Sequence, residues 1–180
     1  MNNQQHRSLI LFGYKSSGKT HYGQLLSQEL GSVFIDTDQW IEERYEKKIH
    51  EKLNCRQISI KIGEEGFRQL ERIVIDSLDQ MTNAIISVGG GAVLNLENCL
   101  KLGKIGKLVY LEADKEIIKQ RIFNDGIPSF LDPHDPEKSF EKMYEERKPI
   151  YEKVSTFKVN VQGKTDPQVL DELKIIARMK

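Results

Sequence analysis

Residues 13–20 read Gly-Tyr-Lys-Ser-Ser-Gly-Lys-Thr, a Gly-x-x-x-x-Gly-Lys-Thr pattern between an apolar run, Ser8–Phe12, and a segment with helical spacing. Few short patterns restrict a fold so tightly. Glycines allow a sharp wrap in which successive backbone N–H groups point inward. A helix opening at the second glycine turns its positive end toward the same point. The resulting cradle suits nucleotide phosphates. It makes Gly13, Ser16, Ser17, Gly18, Lys19, Thr20 and the adjoining His21 the ATP-binding candidates. Lys19 would reach the β and γ oxygens, and the Thr20 hydroxyl would ligate Mg2+. A bare Gly/Ser turn followed by a lysine would explain neither the strand before nor the helix after.

The remaining chain alternates. Short apolar runs at Ser8–Phe12, Val33–Asp36, Ala84–Val88, Lys107–Glu112 and Thr156–Val161 predict buried strands. Helical spacing predicts Lys19–Leu30, stopped by Gly31, and Glu64–Met81, with Phe67, Leu70, Ile73, Val74 and Leu78 on one stripe. Asp114–Phe123, Pro136–Val154 and Asp166–Met179 follow, the last two with proline near the start. Alternation of this kind predicts an α/β parallel sheet with helices on both faces, and ligands at the carboxyl ends of its strands. Two stretches break the rhythm. Thr37 to about Gly63 is charged and weakly patterned, and Asn124–Pro136 holds three of the five prolines. Long segments of this sort inside compact domains are commonly binding loops or lids.

A length of 180 residues suits one domain. With 27 basic and 27 acidic residues the chain has no global field for nucleic acid or an anionic membrane, so neither is an expected partner. Cys55 and Cys99 form no Cys-x-x-Cys pair, and the four histidines lack metal-ligand spacing. The polar amino terminus, Met1–Arg7, has no apolar signal core, so a cytoplasmic protein is expected. A monomer is expected too, because no extended apolar surface pattern is visible.

No Asn-Lys-x-Asp guanine reader and no Leu-Ser-Gly-Gly transporter signature occurs, which leaves a small-molecule kinase. Three clusters offer an acceptor site. Asp36 and Asp38 leave the second strand, where one carboxylate can orient or deprotonate a hydroxyl and the other can hold metal-bound water. Equally, Thr37 or Asp38 could cap a helix beginning at Gln39. Gly89-Gly90-Gly91 ends the third strand, as a close-approach ligand wall or a flexible turn. Arg68 and Arg147 could clamp a carboxylate. Alternatively, Arg68 pairs with Glu64 or Glu71 along its helix, and Arg147 is solvated near Pro149.

Taken together, the order and spacing of these parts resemble the shikimate kinase family from about Leu9 to the carboxyl end. The resemblance rests on the phosphate loop, Phe34-Ile35-Asp36-Thr37-Asp38, and Gly63-Glu64-Glu65-Gly66-Phe67-Arg68 followed by Glu71. It continues through Val88-Gly89-Gly90-Gly91-Ala92 and Arg147-x-Pro149-x-Tyr151. It implies a five-stranded parallel sheet of the nucleoside monophosphate kinase-like type in one domain. A substrate-binding insert (about 37–66) and a mobile lid (about 122–137) fall on the two irregular stretches. It implies ATP-dependent phosphorylation of the shikimate 3-hydroxyl, in aromatic amino acid biosynthesis, with ATP and shikimate as ligands and Mg2+ as cofactor. Carried over by position, Lys19, Asp36 and Asp38 are catalytic, and Thr20 and Asp36 (through water) hold the metal. Asp38, Arg68, Gly89, Gly90, Gly91 and Arg147 bind shikimate, while Arg121 and Lys164 join the ATP site.

The chain departs from the family in three places. An arginine usually precedes the lid Pro-Leu, where it reaches toward the transferring phosphate; here the residue before Pro128 is Ile127. Arg121, His134 and Lys138 are the cations on that side. The Asp38-to-Arg68 connection is longer than is common, and Ser16 occupies a position often held by glycine. The rivals are a nucleoside monophosphate kinase, which would show Gly-Phe/Tyr-Pro-Arg after the third strand and an arginine-rich lid, and a nucleotide-binding domain that has lost its chemistry.

Overall fold

The computed structural model of the chain describes residues 8–179; the polar segment Met1–Arg7 lies outside the described residues. Five strands form one parallel sheet: β1 (Ser8–Phe12), β2 (Val33–Asp36), β3 (Ala84–Ser87), β4 (Gly106–Glu112) and β5 (Phe157–Asn160). Their spatial order is β2-β3-β1-β4-β5. The strand carrying the phosphate loop is therefore central, and the order reverses beside it. That switch point places the carboxyl ends of β1, β2 and β3 around one crevice.

Every residue of β1 is buried, because helices cover both faces of the sheet. Alternate residues serve opposite faces. Leu9 and Leu11 pack with Tyr22 and Leu26 of α1 (Lys19–Leu30) and with Val169, Leu173 and Ile176 of α7 (Asp166–Arg178). Ile10 and Phe12 face the larger core. Its other walls come from Leu102 of α4 (Leu96–Ile105), Ile118 and Ile122 of α5 (Lys115–Asn124), and Phe140 and Tyr151 of α6 (Pro136–Val154). The α1 and α6 boundaries match the spacing-based expectation. The strands beginning at Ser8 and Val33 match as well, and the other strands differ by at most one residue at either end.

Three helical features differ from expectation. The charged stretch after β2 is not irregular: it forms α2 (Thr37–Ile49) and the first arm of α3 (Cys55–Asp76). Ile41, Tyr45, Ile58 and Val74 build a small separate core there, with Trp40, Phe67 and Leu70 packed against it. So few apolar positions on so charged a background hid the period. The signal that was present is the Asn54-x-x-Gln57 capping box, in which Asn54 Oδ1 accepts from the Gln57 N–H and Gln57 Oε1 accepts from the Asn54 N–H. Second, α3 kinks at Gly63, whose φ of 75° is non-helical, it ends at Asp76 rather than Met81, and Ile73 turns out to solvent beside the buried Val74 rather than joining the stripe. Third, α4 completes the strand–helix alternation between β3 and β4. Its cap, Asn95 accepting from the Asn98 N–H, is a readable start signal. Among the described residues no helix is long and apolar enough to cross a membrane.

Candidate active site

The phosphate loop leaves β1 at Gly13 and enters α1 at Gly18, whose φ of 94° makes the left-handed turn. Ser16 also sits left-handed, at φ 64°. A serine adopts that geometry at a modest cost that a glycine would avoid. Tyr14 anchors the loop: its hydroxyl donates to Tyr144 O over 2.7 Å, and its ring stacks on that of Tyr144 at 4.5 Å. Lys19 folds back over the loop, donating from Nζ to Tyr14 O (2.8 Å) and Gly13 O (3.3 Å). Burial lowers its pKa, opposed by the Asp38 and Asp36 carboxylates that face it. Ser17 Oγ is buried without a hydrogen-bond partner, a polar atom held ready in the loop.

At the edge of the same cradle the Thr20 hydroxyl donates to Asp36 Oδ2 over 2.8 Å. Asp36 Oδ1 meanwhile accepts the Asp38 N–H at 3.0 Å and so caps α2. The cap is thus Asp36 itself, which frees Asp38 from that duty. A hydroxyl and a carboxylate converging beside a phosphate cradle suit Mg2+, which takes one or two protein oxygens and fills its octahedron with water and phosphate. No group of three or more His, Cys, Asp or Glu side chains able to hold a metal occurs among the described residues.

Asp38 points toward the end of β3. A Cβ added to Gly89 would stand 2.9 Å from Asp38 Oδ1 and 3.3 Å from Glu71 Oε1. One on Gly90 would meet Gly13 O at 2.7 Å and the Tyr151 hydroxyl at 3.0 Å, and one on Gly91 would overlap Arg68 Nη1 at 2.2 Å. Gly90 is therefore required by close approach to backbone, Gly89 and Gly91 make room for side-chain ends, and the three mark the wall on which the other groups converge. Desolvation and the neighbouring Asp36 raise the Asp38 pKa to about 6, Glu42 adding to the rise, against the pull of Lys19 and Arg68.

Arg68 lies on the second arm of α3, where its Nη1 is 3.1 Å from both oxygens of Glu71, which is only 2% exposed. Its Nη2 lies 3.5 Å from Glu64. Both intrahelical pairs thus form, yet the guanidinium still reaches Gly91. Arg147, on α6, faces the Tyr151 hydroxyl, opposing the rise in its pKa that burial causes, and lies 5.3 Å from the Phe130 ring centroid. Tyr151 in turn donates to Gly90 O over 2.8 Å. Arg68 and Arg147 both act on Glu71 and Tyr151. Two cations and a carboxylate therefore border one strand end, next to the phosphate loop.

A cavity of about 500 Å³ opens on the other side of the loop, lined by Ser17, Gly18, His21, Arg121, Lys164 and Asp166 among others. His21 Nε2 lies 2.9 Å from Asp166 Oδ2, Arg121 Nη1 donates to Ser16 O over 3.0 Å, and Lys164 pairs with Glu172 at 2.6 Å. Every residue proposed from the sequence thus falls into one of two adjoining groups, a phosphate-and-cavity side and an acceptor side. The partnership of Glu71 and the wall-forming role of Tyr151 were not read from sequence. Both stand in the quoted motifs, but their functions depend on which residues face them.

A central phosphate loop, a Thr/Asp pair beside it and an acceptor pocket of one aspartate and two arginines define a P-loop small-molecule phosphotransferase. Comparison with known proteins narrows the class. A family model described as shikimate kinase matches residues 15–178. A shikimate kinase of Caldanaerobacter subterraneus subsp. tengcongensis is 33% identical over 167 residues, covering 93% of this chain and 94% of that protein. One from Syntrophus aciditrophicus is 35% identical over 179 residues, covering 93% and 89%. The solved structure of shikimate kinase from Acinetobacter baumannii in complex with shikimate aligns with a TM-score of 0.84 at 26% identity, over 97% of this chain and 96% of that one. The chain belongs to the shikimate kinase family and is a kinase.

Proposed function

We propose that the chain transfers the γ-phosphoryl group of ATP to the 3-hydroxyl of shikimate, giving ADP and shikimate 3-phosphate. The observation that carries this is the convergence of Asp38 Oδ1 and the Arg68 guanidinium on Gly89–Gly91, beside the loop that holds Lys19. A small molecule carrying hydroxyls and a carboxylate fits those groups; an uncharged alcohol would leave Arg147 without a carboxylate among the described residues, whereas Arg68 already has those of Glu71 and Glu64.

Transfer is direct and in line. The bond between the γ-phosphorus and the β,γ-bridging oxygen breaks as the bond to the 3-oxygen forms, and Asp38 receives the hydroxyl proton. A carboxylate with a pKa near 6 is well matched to that task at neutral pH. Lys19 and the loop amides bear phosphate charge. Thr20 directly, and Asp36 through water, would hold Mg2+, which supplies charge neutralisation across the β and γ phosphates when bound. Arg68 and Arg147 hold the substrate carboxylate bidentately, and Gly89, Gly90 and Gly91 let the ring approach the backbone. Adenosine occupies the cavity bordered by His21, Arg121 and Lys164. The chain acts as one domain, with α2 and the first arm of α3 as the substrate-binding insert (about 37–66). The segment about 122–137 is its lid, closing over ATP. We place the protein in the cytoplasm as a monomer.

The test is ADP release from MgATP with shikimate, gluconate or AMP offered in parallel. Stimulation by shikimate alone is expected. Stimulation by either of the others, or by none of them while ATP still binds, would overturn the assignment.

A further inference from the structure

Phosphoryl transfer gains from a cation at the developing charge, and in this chain the lid position that would carry one is Ile127, a partly buried side chain packed on the main core. Arg121 Nη1 donates to Ser16 O at the edge of the nucleotide cavity, on the nucleotide side of the loop. We propose that Arg56, at the start of α3, is the residue that meets the transferring phosphate, in place of the missing lid arginine. This rests on the functional reading above.

Arg56 lies between the two sides of the cleft, its backbone neighbour fixed on one and its own side chain ending at the other. Its neighbour Cys55 is tethered to the acceptor side: Cys55 Sγ donates to Asp38 O over 3.3 Å, and the Cys55 N–H donates to Glu42 Oε1 over 2.8 Å. At its other end Arg56 reaches the lid, where a Cβ placed on Gly126 would lie 3.6 Å from Arg56 Nη1. Gly126 directly precedes Ile127. One residue earlier, Asp125 Oδ2 accepts a long hydrogen bond, 3.4 Å, from Ser16 Oγ of the phosphate loop. The Arg56 side chain therefore ends at the lid segment that touches the phosphate loop, while the residue before it is anchored to the backbone of Asp38. Its side chain is exposed and, among the described residues, has no carboxylate within ion-pair distance. An unpaired guanidinium can turn toward phosphate oxygens without first breaking a bond, and its planar fork suits them better than an ammonium would.

The experiment compares steady-state kinetics and thermal midpoints of the wild type, Arg56→Ala, Arg56→Lys and Arg56→Ala/Ile127→Arg. For Arg56→Ala, kcat should fall roughly 100- to 1,000-fold, as for loss of one charge-stabilising donor, while KM for shikimate stays within about 3-fold. The thermal midpoint should be unchanged. Arg56→Lys should recover part of the loss, and adding Ile127→Arg to Arg56→Ala should raise kcat at least 10-fold over Arg56→Ala. An active wild type with unchanged kcat in Arg56→Ala overturns the role of Arg56 alone, as does a double variant no faster than Arg56→Ala. A wild type without shikimate-dependent ADP release overturns the underlying functional reading, and this role with it.

Discussion

Arg68 Nη1 stands 3.1 Å from each carboxylate oxygen of Glu71, one turn further along the same helix. Glu71 is almost fully enclosed, and burial raises its pKa against the pull of Arg68. An enclosed carboxylate is tolerated because the guanidinium answers it, and the guanidinium is in turn fixed at Gly91. Replacing Glu71 by Ala should therefore act on substrate through Arg68. We expect KM for shikimate to rise about 10-fold with a smaller change in kcat, and stability to fall by about 1–3 kcal/mol, discounted for the partial exposure of Arg68. Steady-state kinetics with a denaturant titration would check both. A stability loss with no change in KM would mean that Glu71 serves the fold alone.

Arg68→Ala and Arg147→Ala should each raise KM for shikimate by about 1.5–3 kcal/mol, roughly 10- to 150-fold, as expected for a lost charged hydrogen bond. Turnover at saturating shikimate should change little. Michaelis curves for both substrates would separate the cases, because an effect on kcat alone contradicts a binding role.

Asp38 should impose an acid limb on catalysis. Its pKa of about 6 means that the proton-accepting form is lost as pH falls through that value, so kcat/KM for shikimate should decline below about pH 6. The stability consequence has the opposite sense. A folded pKa above the unfolded value of 3.8 means that the native state holds the proton more tightly, so this group's contribution falls as pH rises from about 4 to 6. Asp38→Asn should therefore be nearly inactive yet melt higher than the wild type at pH 7, the gap closing near pH 4. Thermal midpoints at several pH values, beside the rate profile, test this directly. A lower midpoint for Asp38→Asn at pH 7 would contradict the assigned environment.

The glycine wall allows a graded test. Gly91→Ala would press on the Arg68 guanidinium, the movable end of a long side chain. KM for shikimate should rise while stability is nearly kept. Gly90→Ala would instead meet the backbone carbonyl of Gly13, which cannot retreat without shifting the phosphate loop. It should cost about 1–3 kcal/mol of stability and raise KM for ATP as well. Equal effects from the two substitutions would show that the wall is looser than these contacts require.

The legible parts of the site share one property: their meaning is carried by near neighbours in the chain. The phosphate loop needs a strand before it and a helix after it, and both are apolar patterns a few residues long. The second strand's exit at Asp36 and Asp38, the triple glycine and the two arginines were each visible, but each also had an ordinary explanation. Local reading left Asp38 divided between capping and catalysis. The structure resolves that by giving the cap to Asp36, which also accepts from Thr20. The helix α2 escaped notice because only one narrow stripe of it is apolar, enough to fill a small satellite core but not to stand out among charges.

What the sequence by itself determined is the α/β alternation, the nucleotide cradle and the residue types of the acceptor pocket, because strand and helix periods and a phosphate-binding turn are short-range properties. Tertiary structure alone decided that Glu71 holds Arg68 against Gly91 and that Tyr151 backs Gly90. It also decided that Arg56 lies against Gly126, 70 positions away in the chain. Side-chain facing of that kind follows from how the insert packs and where the chain returns, and a solvent-exposed arginine on a helix start carries no local mark of what stands opposite it.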